Sequence, residues 1–299
     1  MANSRWVGAV WVAVSAVAFG AMAIFARVAF AGGADVLAVL FLRFLIAALV
    51  MAAVMAASRR RWPSRRNAAL LALMGGVGYV AQSLCFFSAL RHASAGLVAL
   101  LLYLYPFLVT LLGAIFLGQR PTPLRLGAVT AALLGTALTI GGSLAGSGLG
   151  IALGVTTALM YSVYILVGSR VLAEEAPLAA ATVVMMAAAC TFGGLVVLEA
   201  PHFPVTLEAW LASLAIALVS TVVAMVGFFA GIQRLGATDA ATLSTLEPVV
   251  TFVLAAVFLG EPIGGLQALG GAIVLGAVIA LARGDAPQAE PGSGATSSR

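Results

Sequence analysis

This sequence has few charged residues and no lysine. Only 8% of its 299 residues are charged, while 63% are hydrophobic and the mean hydropathy is +1.15. A soluble globular protein carries roughly 25% charged residues. The deficit extends along nearly the whole chain, so it predicts a polytopic membrane protein and excludes a soluble domain on a single anchor. The net charge of +5 comes entirely from arginine. Most of these arginines stand at the ends of apolar runs, which excludes a nucleic-acid-binding face.

Cysteine, nucleotide motifs and paired catalytic groups are also scarce. Cys85 and Cys190 lie inside apolar runs without metal-ligand spacing, so we expect small core residues, with no disulfide and no metal. No strand precedes the glycines of 141–150, which predicts an inter-repeat loop and not a nucleotide site. The chain has no Walker motif, and we expect no cofactor. His92 and His202 fall in predicted loops, so an intramembrane enzyme is the weaker alternative.

Ten apolar runs are long enough to cross a membrane, which takes about 20 residues. The short connections leave no room for a second, soluble domain, and the polar segment 284–299 predicts a disordered tail. The first run is too long for a signal peptide, and another span follows almost at once. The predicted spans are 6–30, 35–57, 68–89, 95–117, 124–143, 149–169, 177–198, 208–231, 237–259 and 265–282.

One stretch of the sequence occurs twice. ALRHASAGLVALLLYLYPFLVTLLGAIFLG (89–118) aligns with GIQRLGATDAATLSTLEPVVTFVLAAVFLG (231–260) at an offset of 142 residues, which places Pro106 on Pro248 and FLG on FLG. A mid-span proline repeated half a chain away predicts two broken helices around a central site.

The number of spans in each half predicts the architecture. Each half has five spans, and because five is odd the second half should be inverted relative to the first. We therefore predict an all-α protein of two inverted five-helix repeats, 1–143 and 144–283, followed by the tail.

Arginine placement predicts the orientation. With a cytoplasmic N-terminus, nine arginines fall in the inner loops and only Arg91 in the outer loops. This asymmetry follows the positive-inside rule, so we expect both termini in the cytoplasm. The inner-loop arginines are Arg59, Arg60, Arg61, Arg65, Arg66, Arg120, Arg125, Arg170 and Arg234.

The repeated stretch and one further segment resemble a known family. LYLYPFLVTLLGAIFLGQRPTP (102–123), TLEPVVTFVLAAVFLGEP (245–262) and FLRFLIAAL (41–49) are similar to the EamA-type branch of the drug/metabolite transporter superfamily. The resemblance covers about residues 5–283. It implies a secondary transporter of a bacterial inner membrane that exports small metabolites, especially amino acids, or toxic organic cations. Overall likeness, without a diagnostic motif, favours the bacterial aromatic amino acid exporters. A channel is a further alternative, which would favour rings of like groups from repeated subunits.

The two repeated prolines mark the expected site. Pro106 and Pro248 each lack an N–H and clash with the carbonyl four residues earlier, at Leu102 and Ser244. Lipid offers such carbonyls no partner. Either they line a water-filled cavity as polar contacts, or the prolines are packing kinks satisfied by neighbouring helices; their matched positions favour the cavity.

Glu247 is the only carboxylate well inside a predicted span. A charge there costs about 2.5–3.5 kcal/mol on insertion scales, so Glu247 should face the protein interior. Two roles remain open. Glu247 binds a substrate ammonium or a coupling proton, or it forms a structural pair with Arg43 in the middle of span two.

Tyrosines also stand at mid-span, whereas membrane proteins usually concentrate them at the interfaces. Aromatic stripes are more often core than site, so each tyrosine stays an open choice. We expect a small-molecule substrate and the lipid bilayer as partners, and a monomer that suffices for function, with a dimer left open. The candidate substrate-binding residues are Tyr79, Gln82, Tyr103, Pro106, Ser244, Glu247 and Pro248, with Arg43 as candidate charge partner.

Overall fold

The computed structural model describes residues 2–140, 145–260 and 262–283. Within these ranges the chain is helical, and ten spans are long and apolar enough to cross a membrane. The predicted ten-span, all-α fold is confirmed. The predicted tail 284–299 and part of the predicted loop 141–150 lie outside the described residues. The spans are Arg5–Ala31, Val36–Ala57, Arg65–Phe86, Leu97–Leu117, Pro123–Ile140, Gly148–Val171, Pro177–Glu199, Leu207–Leu235, Ala237–Leu259 and Gly265–Arg283.

Several spans are made of more than one helix. Span one bends at Ala21, spans four and nine are broken, and spans three and eight contain the π-helical segments Met74–Tyr79 and Leu218–Val223. The helices are α1 (Ala2–Gly20), α2 (Met22–Ala31), α3 (Val36–Ala57), α4 (Arg65–Leu73), α5 (Val80–Ala89), α6 (Ala95–Leu102), α7 (Tyr105–Leu117), α8 (Pro123–Ile140), α9 (Gly148–Val171), α10 (Pro177–Glu199), α11 (Leu207–Ala217), α12 (Ala224–Leu235), α13 (Ala237–Leu243), α14 (Leu246–Leu259) and α15 (Gly265–Arg283).

The packing of the spans follows a twofold relation between the halves. Span one (α1) packs along span eight (α12), as span six (α9) packs along span three (α5). Span two (α3) packs on span seven (α10), and span five (α8) on span ten (α15). Exchanging each span with its counterpart in the other half therefore reproduces the contacts. The chain consists of two repeated halves of five spans, and the odd number inverts one half relative to the other. The boundary between 143 and 144 stays a prediction.

The repeated FLG sequence has a structural reason. Gly118 and Gly260 follow the last residues of spans four and nine and have φ of +63° and +67°. This left-handed conformation ends a helix and favours glycine, which has no Cβ to clash. The FLG sequence is therefore repeated because spans four and nine end in the same way, with a left-handed glycine.

Short loops join the span ends on both sides of the bundle. We call the end at which Arg5 and Arg283 lie the terminal face, and the other end the opposite face. On the opposite face, the Asp35 carboxylate accepts hydrogen bonds from the backbone N–H of His202 at 2.8 Å and meets its ring nitrogen at 3.1 Å. The backbone hydrogen bond, followed by the ring, holds the pKa of the Asp35 carboxyl below its usual range. The loop after span one is thus tied to the loop after span seven.

Candidate functional site

Spans four and nine are broken at repeat-related positions. Residues 103–104 separate α6 from α7, and residues 244–245 separate α13 from α14. Pro106 and Pro248 are buried and lie in the first turn of the second half-helix. A proline is tolerated there because the first N–H groups of a helix have no acceptor within it. Each proline therefore belongs to the start of a new helix instead of kinking a continuous one.

The Ser244 carbonyl at the second break is hydrogen-bonded. The backbone N–H of Glu247 donates to the Ser244 carbonyl at 3.0 Å, which closes a turn of 3₁₀ type. The expectation that Pro248 frees the Ser244 carbonyl is therefore wrong, because the chain tightens just before the proline. Across the breaks, the hydroxyls of Tyr105 and Ser244 are hydrogen-bonded at 2.5 Å. The Ser162 hydroxyl of span six donates to the Ala158 carbonyl of its own helix at 2.7 Å and lies 3.3 Å from the Tyr105 carbonyl.

All five tyrosines of the chain form one continuous group, which we call the tyrosine cluster. They come from spans three, four and six. The order is Tyr103, Tyr105, Tyr161, Tyr164 and Tyr79, with successive ring centroids 6.2, 4.8, 6.1 and 6.1 Å apart. Such distances are typical of favourable aromatic pairs. The cluster therefore offers an aromatic wall that also carries hydroxyl groups.

Glu247 lies at the Tyr103 end of the cluster. The residue is half-buried, and its carboxylate interacts with the Tyr103 hydroxyl and, over a longer range, with the Arg43 charge. One turn further, the Thr251 hydroxyl lies 3.0 Å from the Glu247 carbonyl of its own helix and 3.2 Å from the Gly20 carbonyl of span one. A Cβ at Gly20 would lie 3.0 Å from the Glu247 carbonyl. Glycine at the bend of span one thus allows spans one and nine to approach closely beside the carboxylate.

Arg43 lies at the Tyr79 end of the cluster and is only 4% exposed. Its Nε donates to the Thr221 hydroxyl at 2.8 Å and its Nη2 to the Tyr79 hydroxyl at 3.0 Å. Its guanidinium carbon lies 4.9 Å from the centre of the Phe44 ring. Among the described residues, no ion pair joins Arg43 to Glu247. The structural pair considered from the sequence is thus not a direct contact, and a role for Arg43 as charge partner across the site stays a prediction.

The two side chains that hold Arg43 come from repeat-related positions. Tyr79 ends one π-helical segment and Thr221 lies inside the other, and the two residues are 142 positions apart, like Pro106 and Pro248. A π turn carries one extra residue and is frequently found at functional sites. Sequence reasoning missed Thr221, although the 142-residue offset applied to Tyr79 would have found it.

The structure brings together most of the residues proposed from the sequence. Tyr79 and Tyr103 belong to the tyrosine cluster, and Ser244 joins it through Tyr105. Gln82 is half-buried on α5, three residues after Tyr79, and its side chain makes no hydrogen bond to another residue in the described ranges. A substrate-binding role for these residues stays a prediction.

A second charged group, which we call the terminal network, lies near the terminal face. The Asp239 side chain on α13 is fully buried and accepts two hydrogen bonds from Arg125, at 2.7 and 3.1 Å. It also pairs with Arg5 at 3.0 Å, and Arg5 donates to the Leu281 carbonyl at 2.7 Å. The terminal network therefore joins spans one, five, nine and ten. Sequence reasoning treated these arginines only as orientation signals.

Known proteins share this fold and its repeat. The sequence profile of the EamA-like transporter family matches residues 6–141 and 148–283, one match in each half. The uncharacterized transporter YyaM of Bacillus subtilis (strain 168) is 26% identical over 249 residues, which cover 78% of this chain and 80% of that protein. A solved crystal structure of another protein has a TM-score of 0.79 and 23% identity, and covers 91% of this chain and 95% of its own. At that identity the likeness shows the fold alone.

Proposed function

The chain belongs to the EamA-like transporter family, and on that premise we propose that it exports amino acids across a bacterial inner membrane as a secondary transporter. The proposed substrates are aromatic amino acids and other neutral amino acids. Both termini face the cytoplasm in this proposal, as the arginine asymmetry supports. The two inverted halves support alternating access, because each half can open in turn around a fixed central site.

One observation carries the proposal. Glu247 and Arg43 stand at opposite ends of the tyrosine cluster, and among the described residues no ion pair joins them. Charges inside a membrane protein are costly and usually serve a function. A free amino acid presents an ammonium for Glu247 and a carboxylate for Arg43. An aromatic side chain would pack on the tyrosine rings between them.

An exporter of organic cations is the second candidate. Glu247 and the aromatic rings favour it, because a cation binds to a carboxylate and to the faces of aromatic rings. Arg43 distinguishes the two functions, since a cation without a carboxylate would leave the guanidinium without a ligand partner. Amino acid export therefore uses both charges of the site, and cation export uses one.

Glu247→Gln tests the proposal in proteoliposomes. We expect the variant to fold and to melt close to the wild type, but to lose counterflow of labelled phenylalanine by about tenfold or more. The reason is that a hydrogen bond to a charged group contributes about 1.5–3 kcal/mol. Melting temperature and counterflow, with and without a pH gradient, are measured on the same preparation.

The matched control is Glu199→Gln, at the exposed end of α10, which should leave both measurements unchanged. A Glu247→Gln protein with an unchanged transport rate and pH profile would remove Glu247 from the site. A protein that melts much earlier, yet transports normally once folded, would assign Glu247 a structural role. Transport of quaternary cations without any amino acid would favour the second candidate.

A further inference from the structure

We infer that Arg43 and Tyr164 bind the carboxylate of the transported ligand, and that Thr221 and Tyr79 position Arg43 for this task. The inference rests on the proposed function, because it assigns the anionic end of the substrate to particular atoms. Thr221 and Tyr164 were not among the residues proposed from the sequence.

Arg43 has more N–H donors than the two hydrogen bonds it makes to Thr221 and Tyr79. Its Nε–H is used by Thr221 and one N–H of Nη2 by Tyr79. Neither N–H of Nη1 donates to any residue in the described part of the chain. A guanidinium only donates hydrogen bonds, and Nη1 is not among the buried side-chain atoms of the described residues that lack a partner. The unused N–H groups are therefore accessible and available to an acceptor of a ligand.

The one hydrogen of the Thr221 hydroxyl is already used. It accepts from Arg43 Nε at 2.8 Å and donates its own hydrogen to the Ile216 carbonyl at 2.8 Å. Ile216 lies five residues earlier, the spacing of a π-helix. Thr221 therefore has no hydrogen left for a ligand. Its contribution is to fix the plane of the guanidinium, which makes it a positioning residue.

The neighbouring tyrosines add donors to the same place. The Tyr79 hydroxyl accepts from Arg43, so its own hydrogen remains available. The Tyr164 hydroxyl is buried without a hydrogen-bond partner in the described ranges. The two rings meet edge to face at 6.1 Å, and the Arg43 charge acts on Tyr164. A carboxylate is the matching ligand, because it only accepts hydrogen bonds. A protonated amine or a quaternary cation offers no acceptor here.

The site proposed for the ligand carboxylate, which we call the carboxylate subsite, has one residue from each half of the protein holding Arg43. Tyr79 and Thr221 are repeat-related, but Arg43 is not, because Met185 occupies the position 142 residues further. A single guanidinium is thus held by equivalent residues of both halves. Arg43 therefore breaks the symmetry of the halves at the point where they meet.

Thr221→Val tests the inference, since valine keeps the shape and loses the acceptor. Counterflow of labelled phenylalanine is measured against two competitors, phenethylamine without a carboxylate and 3-phenylpropionate without an ammonium. In the wild type, phenethylamine should compete about tenfold to a hundredfold more weakly than phenylalanine, as expected for lost hydrogen bonds to a charged group. Thr221→Val should lower the apparent affinity for phenylalanine about tenfold and leave the apparent affinity for phenethylamine unchanged. Thr221→Ser, which restores the hydroxyl, should restore the affinity for phenylalanine. Tyr164→Phe should lower the affinity for phenylalanine and leave that for phenethylamine unchanged.

The matched control is Thr156→Val, because the exposed Thr156 hydroxyl bonds only to the Ala152 carbonyl of its own helix. It should change neither affinity. A second measurement is independent of transport: 3-phenylpropionate should raise the melting temperature of the wild type and of Thr221→Ser. If Thr221→Val does not fold, the test uses the phenylalanine and phenethylamine affinities of Tyr164→Phe and the melting-temperature shift of Thr221→Ser instead.

The two proposals fail separately. Absence of amino acid counterflow in the wild type overturns the proposed function; if 3-phenylpropionate still stabilises the protein, the carboxylate subsite stands. The carboxylate subsite is overturned, with amino acid transport left intact, if phenethylamine inhibits phenylalanine counterflow as strongly as unlabelled phenylalanine does. The same holds if Thr221→Val folds and binds phenylalanine as the wild type does, or if Tyr164→Phe weakens phenethylamine and phenylalanine equally.

Discussion

Asparagine in place of Asp239 would test how strongly the terminal network holds the bundle together. Asp239→Asn keeps the size of the side chain and removes its charge. The guanidinium groups of Arg5 and Arg125 would then face each other without a counter-charge. Three of the four spans joined by the terminal network, those that carry Asp239, Arg5 and Arg125, would lose their electrostatic attraction.

The expected loss of stability follows from the burial of these groups. Removing one partner of a buried ion pair costs about 3–5 kcal/mol, because the remaining charge stays buried. The side chains of Arg5 and Arg125 retain 12% and 17% exposure, so water reaches them in part. We therefore expect the lower figure, about 3 kcal/mol. At about 2–4 °C per kcal/mol for a large domain, the melting temperature should fall by about 6–12 °C.

Thermal unfolding of the purified protein measures this loss. The matched control is Asp35→Asn, whose side chain is 51% exposed in the wild type and pairs with His202. An exposed ion pair contributes little to stability, so the control should melt close to the wild type. Adding Arg125→Gln to Asp239→Asn removes one stranded charge and should recover part of the loss. A fall in melting temperature for Asp239→Asn no larger than that for Asp35→Asn would show that the terminal network does not stabilise the bundle.

Two further predictions concern the loops. Single cysteines are introduced in a background without Cys85 and Cys190 and are treated with an impermeant reagent outside intact cells. Cysteines in 58–66 should be shielded and Ser147→Cys should be labelled, because the positive-inside rule places these loops on different sides of the membrane. Equal labelling would contradict the ten-span topology with both termini inside. The pKa of Asp35 is depressed in the folded state, so its contribution to stability is complete above the unfolded-state pKa and disappears as the pH falls through the folded-state pKa. The small difference in melting temperature between wild type and Asp35→Asn should therefore disappear as the pH falls below the ordinary pKa of an aspartate, and a difference that persists in acid would count against the pair.

The spans and the two breaks could be predicted because they are local properties of the sequence. A run of apolar residues determines a span by itself, and proline determines where a helix can begin. The repeat offset added the relation between Pro106 and Pro248. The prolines were expected inside two broken helices, and the structure places each of them in the first turn of the second half-helix, because 103–104 and 244–245 leave the α-helical geometry first.

The partners of the charged side chains could not be predicted in the same way. Arg43 bonds to Thr221, 178 residues away, and Arg125 to Asp239, 114 residues away. Hydropathy places a residue at a depth in the membrane but does not say which neighbouring span it faces. From depth alone, Arg43 and Glu247 were natural partners. The structure gives Arg43 two hydroxyl partners instead, both delivered by π-helical segments that no proline or glycine pattern marks uniquely.

The distribution of aromatic residues allows intrinsic fluorescence to report on two different regions of the protein. Every tyrosine belongs to the tyrosine cluster, whereas Trp6, Trp11, Trp62 and Trp210 are between 38% and 51% exposed. Tyrosine emission therefore originates at the centre of the bundle, and tryptophan emission originates at its outer surface. A ligand without a phenol or indole ring, such as methionine, can be followed through the first signal and the surrounding detergent or lipid through the second, without an attached dye.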